Sequence, residues 1–189
     1  MSPRQSDARQ RVVSTAAEML ARHGLNATSI REMAKRAEAP VGSTYHYFPG
    51  GKQQVVVEAV QFAGAQVGAS LEQHLQAGAA AGLRGFLAMW REILVRSDFR
   101  LGCPVMAAAV EEPIDEVAAE ALSAAAQVFS DWEAKLAASL ATHGHRPESA
   151  SRLATLIIAS VEGAIVLCKA HRSIAPFDRI SGALERLVA

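Results

Sequence analysis

Apolar residues recur at three- and four-residue steps along nearly all of this chain, and nowhere do they alternate with period two. The first spacing lines one face of an α-helix, and the second is what a half-buried strand would need. That regularity predicts packed helices and no sheet. Val12, Val13, Ala16, Ala17, Leu20 and Ala21 mark the first helix, and Gly24 stands where a C-cap glycine would end it. After Leu25 and Asn26, the run "TSIREMAKRA" sets Ser29 and Glu32 in capping-box spacing, with Ile30, Met33, Ala34 and Ala37 on one apolar face. "EAP" then breaks the chain. A short helix is expected over about Val41 to Tyr47, and Pro49, Gly50 and Gly51 break the chain again.

Beyond Lys52 the helices lengthen. Val56, Val60, Ala63, Val67, Leu71 and Leu75 mark one, and Leu83, Phe86, Leu87, Trp90, Ile93 and Leu94 the next. Gly102 and Pro104 precede a short helix ending near Glu111, with Pro113 beyond it. Val117, Leu122, Val128, Trp132, Leu136 and Leu140 mark a long one. Pro147 sits at the start of a strongly apolar helix running to about Ala170, and Pro176 opens the last. The expectation is an all-α protein of roughly nine helices. An N-terminal three-helix domain would cover residues 1–51, and a helical body residues 52–189.

Composition narrows the function. Half the residues are apolar and 20% are charged, enough to bury a sizeable core and unlike a disordered chain. The net charge is zero, but through Lys52 eight basic residues face four acidic ones, a net of +4 balanced by −4 in the remainder. A basic end on an acidic body points to an anionic partner, nucleic acid first. The two cysteines, Cys103 and Cys168, have apolar neighbours and no metal-site spacing, which predicts buried thiols in a reducing compartment. "MSPRQSDARQ" lacks the apolar core of a signal peptide. The most apolar run, Leu153 to Cys168, is interrupted by Thr155, Ser160 and Glu162 and falls short of the ~20 residues that span a bilayer. A cytoplasmic protein without membrane contact is expected.

Two short helices at a tight break, the second exposed and aromatic, inside a basic segment, form a helix-turn-helix pattern. Thr28 to Arg36 would cross the DNA backbone, and Val41 to Tyr47 would enter the major groove. Hydroxyls of Ser, Thr and Tyr bond phosphates or base edges, and Lys52 adds a point charge. Gly42 keeps the helix start slim. A plain three-helix scaffold fits the same pattern.

The segment "RQRVVSTAAEMLARHGLNATSIREMAKRAEAPVGSTYHYFPGGK" resembles the N-terminal domain of the TetR family of transcriptional repressors, whose consensus ends in a similar "GTLYHYFPSK". "FPGGK", and "LGCPVMAAAVEEP" at residues 101–113, are similar to the LmrA-type subgroup. The rest of the body resembles the family only in its helical layout. By matched position the resemblance implies that Thr28 and Ser29 touch phosphate. Val41, Gly42, Ser43 and Tyr45 would face the groove, Tyr47 and Lys52 would grip the backbone, and Phe48 would anchor the domain core. For Thr28 and Ser29 a helix cap is the other reading. His46 fits a DNA contact or a solvated surface histidine equally. Three positions depart from the family pattern: Glu38 and Ala39 stand where Gly-Val is usual, and Thr44 where Leu is common. If the turn at Glu38 needs φ > 0, glutamate there costs about 1 kcal/mol.

The resemblance also implies a homodimer with a small-molecule pocket in each body. Bulky side chains cluster on the middle helices: Phe62, Phe86, Met89, Trp90, Ile93, Met106, Val110, Phe129 and Trp132. Pockets are mostly apolar with a few placed polar groups. Glu162, alone in an apolar helix, is the polar candidate, with an ion pair across the dimer as the other reading. The last two helices would form the dimer interface through Leu153, Ile157, Ser160, Ala164, Phe177, Ile180, Leu184 and Leu187, or would fill a monomer core. No serine elbow, His-Glu-x-x-His pattern or dinucleotide glycine pattern is present, so neither catalysis, a metal nor a cofactor is expected. The expected function is a ligand-responsive regulator, in the family's default a repressor, binding double-stranded palindromic operator DNA. A helical small-molecule-binding protein that does not bind DNA is the alternative.

Overall fold

The computed structural model describes residues 3–25, 28–112 and 115–188, so Asn26 and Pro113 lie outside the described residues. Among the described residues the protein has nine α-helices and no strand. They are α1 Pro3–His23, α2 Ile30–Arg36, α3 Val41–Tyr47, α4 Gly51–Leu75, α5 Ala79–Arg96, α6 Pro104–Ala109, α7 Glu116–Thr142, α8 Pro147–His171 and α9 Ala175–Val188. The fold is all-α, as the periodicity predicts.

Local chemistry sets the boundaries. Gly24, at φ +76°, closes α1 with its N–H on the Leu20 carbonyl at 3.0 Å. Ser29 caps α2, its Oγ accepting the Glu32 N–H at 3.2 Å. The Glu32 carboxylate turns instead to Arg36 at 2.9 Å, and that bond holds its carboxyl below the usual range. Asp115 does the capping for α7, Oδ1 accepting the Ala118 N–H at 2.8 Å. Pro147 occupies the first turn of α8, where its missing N–H would have no helical partner. At the end of α2 the Glu38 N–H bonds the Lys35 carbonyl at 3.2 Å and the Ala39 N–H bonds Ala34 at 2.9 Å. These two bonds make a Schellman motif, whose left-handed position usually holds glycine. Here Glu38 takes it, at φ +52°.

The helices gather into two compact units. The first takes in the described residues of 1–65 and 104–128, with Val12, Leu20, Leu25, Met33, Phe48, Val56 and Val105 in its core. Within it α1 packs on α2, α3 and α6. With α6 packed on α1, this unit extends past the first three helices. Gly64 lets α4 approach α7 closely, since a Cβ there would stand 2.5 Å from the Val128 side chain. The second unit takes in residues 66–103 and the described part of 129–189. Its core includes Leu71, Leu83, Phe86, Leu94, Leu136, Leu140, Ile157 and Phe177, with α8 and α5 both packed on α9 and on each other. Each such side chain contributes about 1.5–3 kcal/mol by leaving water. Both cysteines are buried, without a disulfide, and burial pushes the Cys168 thiol up.

Candidate nucleic-acid interface

In the first unit the helix-turn-helix is held from beneath. Phe48, directly after α3, has no exposed surface, and the Arg9 guanidinium lies over its ring at 4.9 Å. Arg9 also pairs with Glu58 of α4 at 2.6 Å. Arg11 Nε donates to the Ala37 carbonyl at 3.4 Å, tying α1 to the end of α2. Thr44 is buried where the family pattern has leucine, and its hydroxyl donates to the Pro40 carbonyl at 3.1 Å. Beyond α3 the chain turns at Gly51, φ +62°, whose N–H bonds the Phe48 carbonyl at 2.9 Å. Gln54 braces this turn: its side-chain oxygen accepts the Gly50 N–H at 3.1 Å and its amide donates to Glu58 at 3.0 Å.

With Thr44 and Phe48 inward, the opposite face of α3 is turned to solvent. Val41 is 40% and Tyr45 46% exposed, and Gly42 and His46 are exposed beside them. Four-residue spacing sets Val41 above Tyr45 and Gly42 above His46, so the four share one face. Ser43 and Tyr47 flank it half-buried, and Lys52 is half-buried at the start of α4. The His46 and Tyr47 rings stand 6.0 Å apart between centroids.

The neighbouring hydroxyls at the start of α2 divide. Ser29 is exposed, whereas Thr28 is only 5% exposed and donates its hydroxyl to the Leu25 carbonyl at 2.6 Å. The Thr28 hydroxyl thus shapes the turn before α2, while Ser29 stands at the surface. No local sequence pattern marks the supports: Arg9 and Glu58 are 49 residues apart, and Glu111 accepts the Leu25 N–H at 3.2 Å from 86 residues away.

The residues expected to line a pocket fall in both units. In the first, Phe62 borders a cleft of about 590 Å³ with Arg9, Val13, Glu58 and Gln61, while Met106 is half-buried and Val110 exposed. In the second, Phe86, Trp90 and Trp132 are buried, and Met89, Ile93 and Phe129 are half-buried. Phe129 and Trp132 meet edge to face, centroids 5.6 Å apart. Glu162 is buried in the same unit, and the desolvation pushes its carboxyl up to about 7.

The residues expected at a dimer interface differ in exposure. Ile157, Ala164, Phe177 and Leu184 are buried inside the second unit; Leu153, Ser160 and Ile180 are half-buried, and Leu187 is exposed. The solvent side of α8 carries Leu156, Ala159, Gly163, Val166 and Leu167. A helix apolar nearly all round does not reveal in its sequence which side its own subunit covers.

Among the described residues, a short exposed helix held behind a capped one on α1 is the arrangement of a helix-turn-helix. Residues 12–59 match the model of bacterial regulatory proteins of the tetR family, and residues 79–183 match the C-terminal domain of LmrA/YxaF-like transcriptional regulators. An HTH-type transcriptional regulator of Mycobacterium tuberculosis is 36% identical over 183 residues, 95% of this chain and 93% of the relative. The HTH-type transcriptional regulator LmrA of Bacillus subtilis is 26% identical over 189 residues, 96% of this chain and 97% of the relative. The crystal structure of a TetR regulatory protein from Rhodobacter sphaeroides shares the fold, with a TM-score of 0.85 at 24% identity, covering 95% of this chain and 97% of that one. The chain belongs to the TetR family of transcriptional regulators, with an LmrA/YxaF-like C-terminal domain. It is a regulator and not an enzyme.

Proposed function

We propose that the protein is a cytoplasmic repressor that binds a palindromic operator as a homodimer and leaves it when a small hydrophobic or amphipathic effector binds. In this reading residues 1–51 read DNA, and residues 52–189 dimerise and take the effector. The observation that carries it is the solvent face of α3, where Tyr45 and His46 stand free of the packing done by Thr44 and Phe48. Val41, Gly42, Ser43 and Tyr45 face the groove, and Ser29, Tyr47 and Lys52 hold phosphates on either side.

The exposed stripe of α8 supports the dimer. Ala159 and Gly163 let a second helix approach, while Leu156, Val166 and Leu167 offer apolar surface to it. Two copies of an α8–α9 pair make a four-helix interface on a two-fold axis, and that axis demands a two-fold DNA site. By length and composition α8 could also cross a membrane, but 44% of its most apolar stretch is already buried in its own protein. One remaining side suits one protein partner. For the effector, this reading takes the half-buried Met89, Ile93 and Phe129 and, beneath them, the buried Phe86, Trp90, Trp132 and Glu162, an apolar and aromatic set with one acid. Release of DNA requires that the effector bind the DNA-incompetent arrangement more tightly, a coupling typically of about 1–3 kcal/mol.

Recovery of genomic fragments on the pure protein tests the reading. Inverted repeats should be enriched, and Lys52→Ala should weaken binding to all sequences and lower the salt slope by about 1. Absence of any enriched fragment would favour a helical effector-binding protein that does not read DNA.

A further inference from the structure

Glu162 lies midway along α8 and is 7% exposed, and its Oε2 has no hydrogen-bond partner in the structure. Its buried neighbours on the helix, Val161, Ala164 and Ile165, are apolar. The Cys103 thiol donates a hydrogen bond to the carboxyl group, which favours the ionised form, but desolvation is the larger influence. Of the charged groups on α5 and α9, the helices packed against α8, Arg84 is exposed and Glu185 half-buried. Arg91 of α5 pairs with Asp178 of α9 at 2.9 Å, and Arg96 with Glu92 at 3.1 Å, all four exposed at the surface. Arg179 and Arg186 of α9 are likewise exposed.

A buried acceptor without a donor costs about 1–3 kcal/mol, and more when it is charged. A leucine here would remove that cost. The carboxylate is therefore a burden to the folded chain, of the kind that a bound group relieves. A second group in the same unit is in the same condition: the Trp90 Nε1 of α5 is buried with no acceptor, and α5 packs on α8. A carboxyl that is partly ionised near neutrality, held in apolar surroundings, attracts a positive charge far more strongly than the same group in water. It repels an anion for the same reason. A neutral alcohol could donate one hydrogen bond to Oε2 without the charge attraction.

We propose that Glu162 recognises the cationic end of the effector, a small amphipathic molecule bearing a protonated amine whose apolar body lies on the aromatic side chains of the second unit. This rests on reading that unit as the effector-binding part. The test is calorimetry on the full chain at pH 7.5 with three probes of one shape: 2-naphthylmethylamine, 2-naphthylmethanol and 2-naphthoate. The amine should bind saturably and about 10-fold or more tighter than the alcohol, the usual worth of a hydrogen bond to a charged group, with the carboxylate weakest. Glu162→Gln should bring the amine down to the alcohol. Glu148→Gln, on the exposed first turn of α8, should leave the order unchanged. An amine no tighter than the alcohol, a preference that survives Glu162→Gln, or no saturable binding of any probe would each overturn the proposal. The wild-type comparison decides it even if the variant fails to fold. Operator binding by the same preparation reports separately on the regulator reading.

Discussion

The segment from Ser29 to Lys52 and the helix α8 present their outward faces on opposite terms. In the first, chain breaks and polar groups mark which side points out. Pro40 and the Pro49-Gly50-Gly51 turn delimit α3, Phe48 is fully buried, and Tyr45 is turned to solvent. In α8, leucine, valine, isoleucine and alanine occur on every side. Ile157 is buried within its unit while Leu156, its neighbour in sequence, is 47% exposed. Polar punctuation, more than hydrophobicity, makes a functional face readable.

The largest test of that contrast compares two leucines. Leu167→Glu, at an exposed position, should separate the proposed dimer and lower operator affinity by about 10²- to 10⁴-fold, the avidity that a second linked head provides. The isolated subunit should stay folded. Leu184 is 3% exposed, so Leu184→Ala should instead lower the stability of the subunit by about 2–5 kcal/mol. Sedimentation and denaturant melts separate the two outcomes. A dimer that survives Leu167→Glu would move the interface off this face.

Next in size is the pH dependence of stability. Glu162 titrates near its ordinary 4.5 in the unfolded chain and at about 7 in the folded one. Between those values the folded chain keeps a proton that the unfolded chain releases. The stabilisation is thus full below about 4.5, declines as pH rises, and is lost above about 7, for a total on the order of 3 kcal/mol. Melts at pH 5 and pH 8 should show that slope, and Glu162→Gln should flatten it. A wild-type protein equally stable at both would mean that the carboxyl finds a partner in solution.

The same contrast governs what the sequence disclosed. The helix count, the bounds of α3 and the inward role of Phe48 follow from period and turn chemistry, which act over a few residues. The inward turn of Thr28 depends on the Leu25 carbonyl just beneath it, which a hydroxyl pattern alone does not reveal. Arg9 on Phe48 and Glu58, or Glu111 on Leu25, unite residues far apart in the chain, and no local pattern encodes such pairs. The outward side of α8 was illegible because its subunit and its proposed partner ask for the same kind of residue. Glu162 was conspicuous by its charge, but its missing partner is a property of the folded interior.

A smaller effect sharpens the reading of the first unit. Glu38 holds φ +52° at the end of α2, a conformation that glycine adopts without strain. Glu38→Gly should therefore raise stability by about 1 kcal/mol, despite the greater freedom of the unfolded chain. It should also strengthen DNA binding at low salt by removing a negative charge from the proposed DNA-binding unit, an effect that fades as salt rises. A lower melting temperature would show that the glutamate side chain makes an interaction worth more than the strain.

The central claim is that two copies of α3 read one two-fold site. Sedimentation of the protein with a recovered palindromic duplex, and with a duplex carrying only half of it, tests this most directly. Two chains should bind each two-fold site, with the half-site bound about 10²- to 10⁴-fold more weakly. One chain per duplex, with equal affinity for half and whole, would contradict it.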